Sequence, residues 1–405
     1  MTDPRIYLGI DNCFASKRWI RPGEWMKLIR SLGLKYVEVS ADTECDPLYM
    51  GQSFTQDWIE EVRRESRNYG IVIKNVYSGH GTYATSGLTH YDRRVICRFR
   101  DEWMKRQIDT GNALNAGFGF FAHGFEELLL QDAELYAGKL DEMYDTLAEL
   151  AAYAAQTGMR YIGLEQMYSP HQPPWRIRDA EQLLREVYAR SGSPFYITID
   201  LGHMNCQQYF SRPDAAYIQR AILAAQNGCP ERNLWLGSAA ARSIYCEAVH
   251  GKIAVDAAVT GILEDAGHNP QLFAEPKDWC IEQWIRELGC YSPIMHLQQS
   301  DGKSSPHWMF SSRYNACGVV KPERVLKALK DSFHREEDSA MPPVCEEIVL
   351  TFEPFISTAG NVYDLIDDIR ESVAYWRKWI PVDGMYLSEV CLHGADESPI
   401  AADRA

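Results

Sequence analysis

Four apolar runs, spread from residue 161 to residue 353, lead into side chains of metal-ligand type. Tyr161-Ile162-Gly163-Leu164 leads to Glu165, Tyr196-Ile197-Thr198-Ile199 to Asp200, Pro293-Ile294-Met295 to His296, and Ile348-Val349-Leu350-Thr351-Phe352 to Glu353. If each run is a strand of one parallel barrel, the strand C-terminal ends converge on a single mouth and these four side chains meet there. Three carboxylates brought together repel and raise one another's pKa, whereas a divalent ion offsets the repulsion and keeps them ionised. A mixed oxygen and imidazole shell suits Mn, Mg, Co or Zn, and ligand identity alone does not choose among them. A single carboxylate at a strand end is more often a helix cap or a surface charge. It is the set of four, on successive strands five to eight, that carries the inference.

The elements that would position these residues alternate along the chain. Arg5–Ile10 reads as a strand, followed by Trp25, Ile29 and Leu32 at helical spacing with Gly33 as a stop. Lys35–Val39 is a second strand, with Trp58, Val62 and Tyr69 on the next helix and Gly70 closing it. Ile71–Tyr77, one long charged helix from Asp92 to about Asn115, and the strand Gly117–His123 follow. A helix from about Asp132 to Thr157, the strand Arg160–Glu165, a helix Ala180–Ser191 and the strand Phe195–Asp200 continue the rhythm. The next strand, Ser292–Leu297, comes only after about ninety residues, well beyond a usual crossover. The pattern ends with the strand Glu347–Glu353 and the helix Val362–Trp379. The fold expected is therefore α/β, a (β/α)8 TIM barrel with a helical insertion between strands 6 and 7. Residues 1–393 read as a single barrel with the insertion at about 204–290, and residues 394–405 as a flexible C-terminal tail. No G-x-G-x-x-G or Walker-type fingerprint follows an early strand, which removes the main reason to prefer a nucleotide-binding open sheet.

Composition bounds the partners. At 405 residues the chain exceeds an average domain but suits a decorated barrel, and its 46% apolar content supplies a full core. A net charge of -15 argues against nucleic acid as the main partner, because such binding rests on basic patches that neutralise phosphates. The eleven cysteines include no C-x-x-C pair, as expected of reduced thiols in a cytoplasmic protein. With neither a signal-peptide pattern nor a long apolar run, the expectation is a cytoplasmic chain with no membrane partner.

The motifs Leu164-Glu165-Gln166, Ile199-Asp200-Leu201-Gly202-His203, Met295-His296-Leu297-Gln298-Gln299-Ser300-Asp301-Gly302-Lys303 and Phe352-Glu353-Pro354-Phe355 resemble the xylose isomerase-like (sugar phosphate isomerase/epimerase) TIM barrel superfamily. The look is that of the branch containing tagatose and allulose 3-epimerases and hydroxypyruvate isomerase. The resemblance runs from Ile6 to about Trp379, apart from the segment after Asp200. It implies that Glu165, Asp200, His296 and Glu353 are metal ligands, that Glu165 and Glu353 form an acid/base pair, and that His203 contacts substrate oxygens. Moving a proton beside a sugar carbonyl needs a base for a weakly acidic C–H bond and a Lewis acid for the enediolate, and these residues would provide both. The activity implied is isomerisation or epimerisation of a small sugar or sugar phosphate, by a chain that forms homo-oligomers. His80 and His123, at the ends of strands three and four, are candidates for binding substrate hydroxyls or a second metal, and equally for holding loop backbone. His307 is a further candidate substrate-binding residue. Tyr168, His171 and Trp175 offer rings in the loop after Glu165. Lys17, Arg18, Arg93 and Arg94 read as solvated helix-start charges before a phosphate site.

Two other activities share these features. An abasic-site endonuclease with zinc would use His80, His123, Glu165, Asp200, His203, His296, His307 and Glu353, but it carries an Asp two residues before the last histidine, where this chain has Ser305. A metal-dependent lyase or dehydratase, such as a C-glycoside-cleaving enzyme, would begin with the same proton abstraction. A non-catalytic sugar-binding barrel is the third alternative, disfavoured by the two glutamates.

Overall fold

In a computed structural model of the chain, residues 2–16, 18–79, 87–122, 124–336 and 338–392 are described. Eight parallel strands form the centre: β1 Arg5–Asp11, β2 Tyr36–Ser40, β3 Val72–Ser78, β4 Gly117–Phe120, β5 Ile162–Glu165, β6 Tyr196–Asp200, β7 Ile294–Leu297 and β8 Glu347–Phe352. Each pairs with the next, β8 pairs with β1, and β1 pairs with β2 (Gly9 opposite Tyr36), so the ring closes as a (β/α)8 barrel. A two-residue β9, Met385–Tyr386, adds antiparallel to the start of β1.

The strands read as continuous apolar runs because both faces are covered, one by the barrel interior and one by the surrounding helices. All five residues of β2, Glu38 included, are buried. The helices stop where the sequence offers a left-handed residue: Gln52–Tyr69 at Gly70 with φ 65°, and Ile177–Ser191 at Gly192 with φ 63°. The longest helix, Ala133–Gln156, starts where the Asp132 side chain accepts from the backbone N–H groups of Glu134 and Leu135 at 2.9 and 3.0 Å.

Two elements differ from the sequence reading. The stretch after Asp92 is not one helix: Arg93–Arg98 passes into a π-helical turn, Phe99–Met104, before Lys105–Ala113 resumes, and both Trp103 and Met104 are fully buried beside that turn. β4 ends at Phe120 rather than at His123. Between β6 and β7 the helices Ala215–Gln226, Ala239–Val249 and Val255–His268 enclose a small core of their own, with Ile218, Ile222, Leu236, Tyr245 and Ile262 inside. Ile281–Leu288 instead sends Trp284, Ile285 and Leu288 into the main core, as the crossover helix to β7. Residues 394–405 lie outside the described residues.

The N-terminal end of the barrel is closed by a charge network. Lys74 Nζ lies 2.6 Å from Glu347 Oε2 and 4.1 Å from the centre of the Tyr7 ring, and Arg160 Nη2 reaches the same carboxylate oxygen at 2.9 Å. None of the eleven cysteines is in a disulfide, and no helix among the described residues is long and apolar enough to cross a membrane.

One carboxyl beneath the mouth gives the fold a pH dependence. Glu44 is 3% exposed, and its Oε2 accepts from the indole N–H groups of Trp25 and Trp58 at 3.3 and 3.1 Å. Burial pushes its pKa up to about 8 against the pull of those two donors. The folded state therefore holds this proton where the unfolded chain has lost it, so the stability it confers is full below pH ~4.5 and declines as pH rises towards ~8. Glu44→Gln keeps an acceptor oxygen and removes the titration. Between pH 5.5 and 8.5, urea unfolding will show wild type losing about 3 kcal/mol more than the variant.

Candidate metal and proton-transfer site

Parallel register brings the four strand-end residues together. Glu165 closes β5, Asp200 closes β6 directly opposite His296 of β7, and Glu353 follows β8 by one residue. They are 2, 0, 0 and 3% exposed respectively, and one ligand atom from each lies within 4.8 Å of all the others. His296 sits in the middle: its Nδ1 is 2.8 Å from Glu165 Oε1 and 3.5 Å from Glu353 Oε2, and its Nε2 is 2.7 Å from Glu38 Oε1. Asp200 Oδ1 accepts from the backbone N–H groups of Gly202 and His203 at 2.7 and 2.9 Å and from Gln298 Nε2 at 2.7 Å. Asp200 Oδ2 is buried with no hydrogen-bond partner among the described residues.

Electrostatics marks the same crowding. Burial holds the Glu353 carboxyl well above the usual range, with Glu165 and Asp200 adding like-charge repulsion against the pull of His296. For Glu165 burial also raises the pKa, but His296 and His203 outweigh it and leave the carboxyl below its ordinary value. Asp200 is likewise raised by burial, then brought down to about 2 by His203, His307 and His296. Burial lowers His296, yet Glu353, Glu38 and Glu165 hold it well above the usual imidazole range. Carboxylates packed round one imidazole, with an orphaned oxygen on Asp200, are a donor set that a divalent cation fits.

Above the four lies a cavity of about 170 Å³, lined among others by Tyr77, Phe121, Tyr168, His203, His307 and Phe355. The Tyr77 hydroxyl donates to Glu165 Oε2. His203 Nδ1 is 2.9 Å from the Gln166 carbonyl oxygen, an acceptor only, so Nδ1 carries the proton and Nε2 remains an acceptor when the ring is neutral. The Tyr168 ring packs against His203 at 4.1 Å between centroids. His307 Nδ1 lies 3.1 Å from Glu353 Oε2, and its ring stands edge-on to Phe355 at 4.3 Å. Its backbone is left-handed, φ 51°, in a loop pinned by Gln298 Oε1, which accepts from His307 N at 2.8 Å. Gly202 leaves the room Gln298 needs, since a Cβ there would fall 2.2 Å from the Gln298 side chain.

Of the residues singled out from the sequence, Glu165, Asp200, His203, His296, His307 and Glu353 stand together at this mouth. His80, His123 and Lys17 lie outside the described residues. Trp175 does not offer a ring to the cavity: it is fully buried and packs edge-on to Phe210 at 5.8 Å. His171 faces Phe125 O and Glu127, holding loop backbone. Arg18 donates to Gly360 O at 3.1 Å, and Arg94 pairs with Asp92. Four groups of the site were not read from the sequence: Glu38, Asn75, Tyr77 and Gln298. For Glu38 a signal existed, namely a carboxylate inside an otherwise apolar strand.

A model of the xylose isomerase-like TIM barrel family matches residues 26–227. The chain is a xylose isomerase-like TIM barrel. This xylose isomerase-like barrel is also similar to the D-erythrulose 1-phosphate 3-epimerase of Brucella abortus (strain 2308), 30% identical over 115 residues. That match covers 28% of this chain and 34% of the epimerase, so it spans about a third of the relative's length. Among solved structures, a xylose isomerase candidate from Rhodospirillum rubrum superposes with a TM-score of 0.64 at 19% identity, covering 92% of this chain and 99% of that one. A D-allulose 3-epimerase from Methylomonas sp. does so at 0.52 and 14% identity, covering 93% and 99%. At these identities the two structures speak to the fold of the xylose isomerase-like barrel.

Proposed function

We propose that this chain is a divalent-metal-dependent isomerase or epimerase of a small ketose or ketose phosphate. The observation that carries the reading is the placement of two buried glutamates, Glu165 and Glu353, against one nitrogen, His296 Nδ1, at 2.8 and 3.5 Å, where both line a cavity open to a small ligand. A divalent ion, with manganese favoured, held by Glu165, Asp200, His296 and Glu353 would supply Lewis-acid polarisation of the substrate carbonyl. One glutamate removes the proton beside that carbonyl and the other returns one. Return to the opposite face gives epimerisation, and return to the adjacent atom gives isomerisation. Tyr77 holds Glu165 Oε2, which leaves Oε1 as the oxygen that faces the reacting centre. His203 Nε2 accepts a hydrogen bond from a substrate hydroxyl, its ring fixed by the Gln166 carbonyl and backed by Tyr168. His307 sits against Glu353 and can orient it or a substrate oxygen.

A cavity of about 170 Å³ is smaller than the ~300–1,000 Å³ typical of drug-sized ligands and suits a short sugar. The partial match to a tetrulose-phosphate epimerase directs the first assays to tetruloses, pentuloses, hexuloses and their 1-phosphates. Nuclease chemistry is less well supported: Ser305, where that activity needs a carboxylate, instead hydrogen-bonds Gln298 at 2.9 Å. The test is product analysis by NMR of that ketose panel, with manganese supplied and with chelator. A new epimer or aldose appearing only with metal supports the proposal. Turnover of none of the panel, together with cleavage of abasic DNA or elimination from a C-glycoside, would replace it.

A further inference from the structure

The strand-end residues account for one nitrogen of His296; the other is held by Glu38. This residue stands on β2, beside Asp11 of β1 and Asn75 of β3, and is 1% exposed. Its Oε1 accepts from His296 Nε2 at 2.7 Å and its Oε2 accepts from Asn75 Nδ2. The fold builds a seat for it across three strands. The β2–β3 register shifts between Val37 and Glu38, a bulge that redirects the side chains after it. Asn75 fits because β4 carries Gly119, which stands opposite Tyr77 and where a Cβ would fall 2.8 Å from Asn75 Nδ2.

A carboxylate buried this completely is expensive unless hydrogen bonds compensate it, and one of its two partners is the central histidine of the site. The acceptor on the far side fixes which nitrogen faces which group: Nε2 donates to Glu38, and Nδ1 is the nitrogen turned towards Glu165 and Glu353. A carboxylate behind an imidazole also strengthens its other nitrogen as a donor. We infer that Glu38, seated by Asn75, is the positioning residue of the metal centre, setting the orientation and tautomer of His296 so that Nδ1 serves as the ligand atom. The inference rests on the proposal that Glu165, Asp200, His296 and Glu353 hold a divalent ion.

The test compares wild type, Glu38→Gln and Glu38→Leu, each stripped of metal, by Mn2+ titration calorimetry, the visible spectrum of the Co2+-loaded protein and thermal unfolding. Glu38→Gln keeps an acceptor for Nε2–H but loses its charge, so Mn2+ binds about 10-fold more weakly while the Co2+ spectrum stays close to wild type. Glu38→Leu leaves Nε2–H without an acceptor; binding weakens about 100-fold and the spectrum shifts as the ring turns. A purely packing role would lower the unfolding temperature and leave the spectrum and affinity of the folded fraction unmoved, which would overturn the inference. If Glu38→Leu does not fold, an unchanged Mn2+ affinity in Glu38→Gln overturns it alone. Wild type that binds no Mn2+ sinks the metal proposal itself, a different result from wild type that binds while both variants match it.

Discussion

Glu353→Gln will leave a folded barrel that has lost at least about 100-fold in the rate of proton exchange beside the substrate carbonyl, within the ~10²–10⁴ that a positioned acid or base contributes. The substitution is nearly isosteric, so the packing around residue 353 is kept. What goes is the ability to take up and release a proton at an oxygen 3.1 Å from His307 Nδ1 and 3.5 Å from His296 Nδ1. Glu165→Gln will have an effect of the same order, because Tyr77 still finds an oxygen on the amide while the basic oxygen facing His296 is gone. Solvent-deuterium incorporation checks both variants, with circular dichroism to establish folding. An exchange rate equal to wild type in either one removes that glutamate from the proton-transfer step.

Asp200→Asn will abolish most of the stabilisation that the metal confers. Its Oδ1 is engaged by Gly202, His203 and Gln298, and an asparagine oxygen can keep those three donors. The orphaned Oδ2 becomes an NH2 group, which cannot ligate, and the site falls from three carboxylates to two. At a Mn2+ concentration 100 times its dissociation constant, wild type gains about 2.7 kcal/mol against unfolding. At the same concentration the variant will gain less than about 1 kcal/mol, equivalent to at least a ~20-fold loss of affinity. Thermal unfolding with and without Mn2+ reads this directly, and equal stabilisation in the two proteins would take Asp200 out of the ligand set.

The parts of the site legible in the sequence were those that end a strand. On β5, β6, β7 and β8 an apolar run stops at Glu165, Asp200, His296 or Glu353, and a closed parallel barrel leaves such side chains nowhere to point but the mouth. Glu38 escaped notice because Tyr36-Val37-Glu38-Val39 reads as a strand with one polar residue facing solvent, whereas a barrel strand has no solvent face. Its meaning depends on His296, 258 residues away, which no local pattern carries. Tyr77 and Gln298 were hidden for the same reason, each being an ordinary residue until its partner is known. The π turn at Phe99–Met104 was invisible because helical periodicity persists on either side of it. The helices between β6 and β7 were foreshadowed by the gap in strand rhythm.

The central claim, proton transfer between two glutamates at a metal centre, is tested most directly by following solvent deuterium into the carbon beside the carbonyl of whichever ketose is turned over. The chain is stripped with chelator, assayed in D2O, reloaded with Mn2+ and assayed again. The account predicts no incorporation in the stripped protein and restored incorporation, together with product, on reloading. Full turnover in chelator, or product formed by the loaded protein with no deuterium at that carbon, would contradict it.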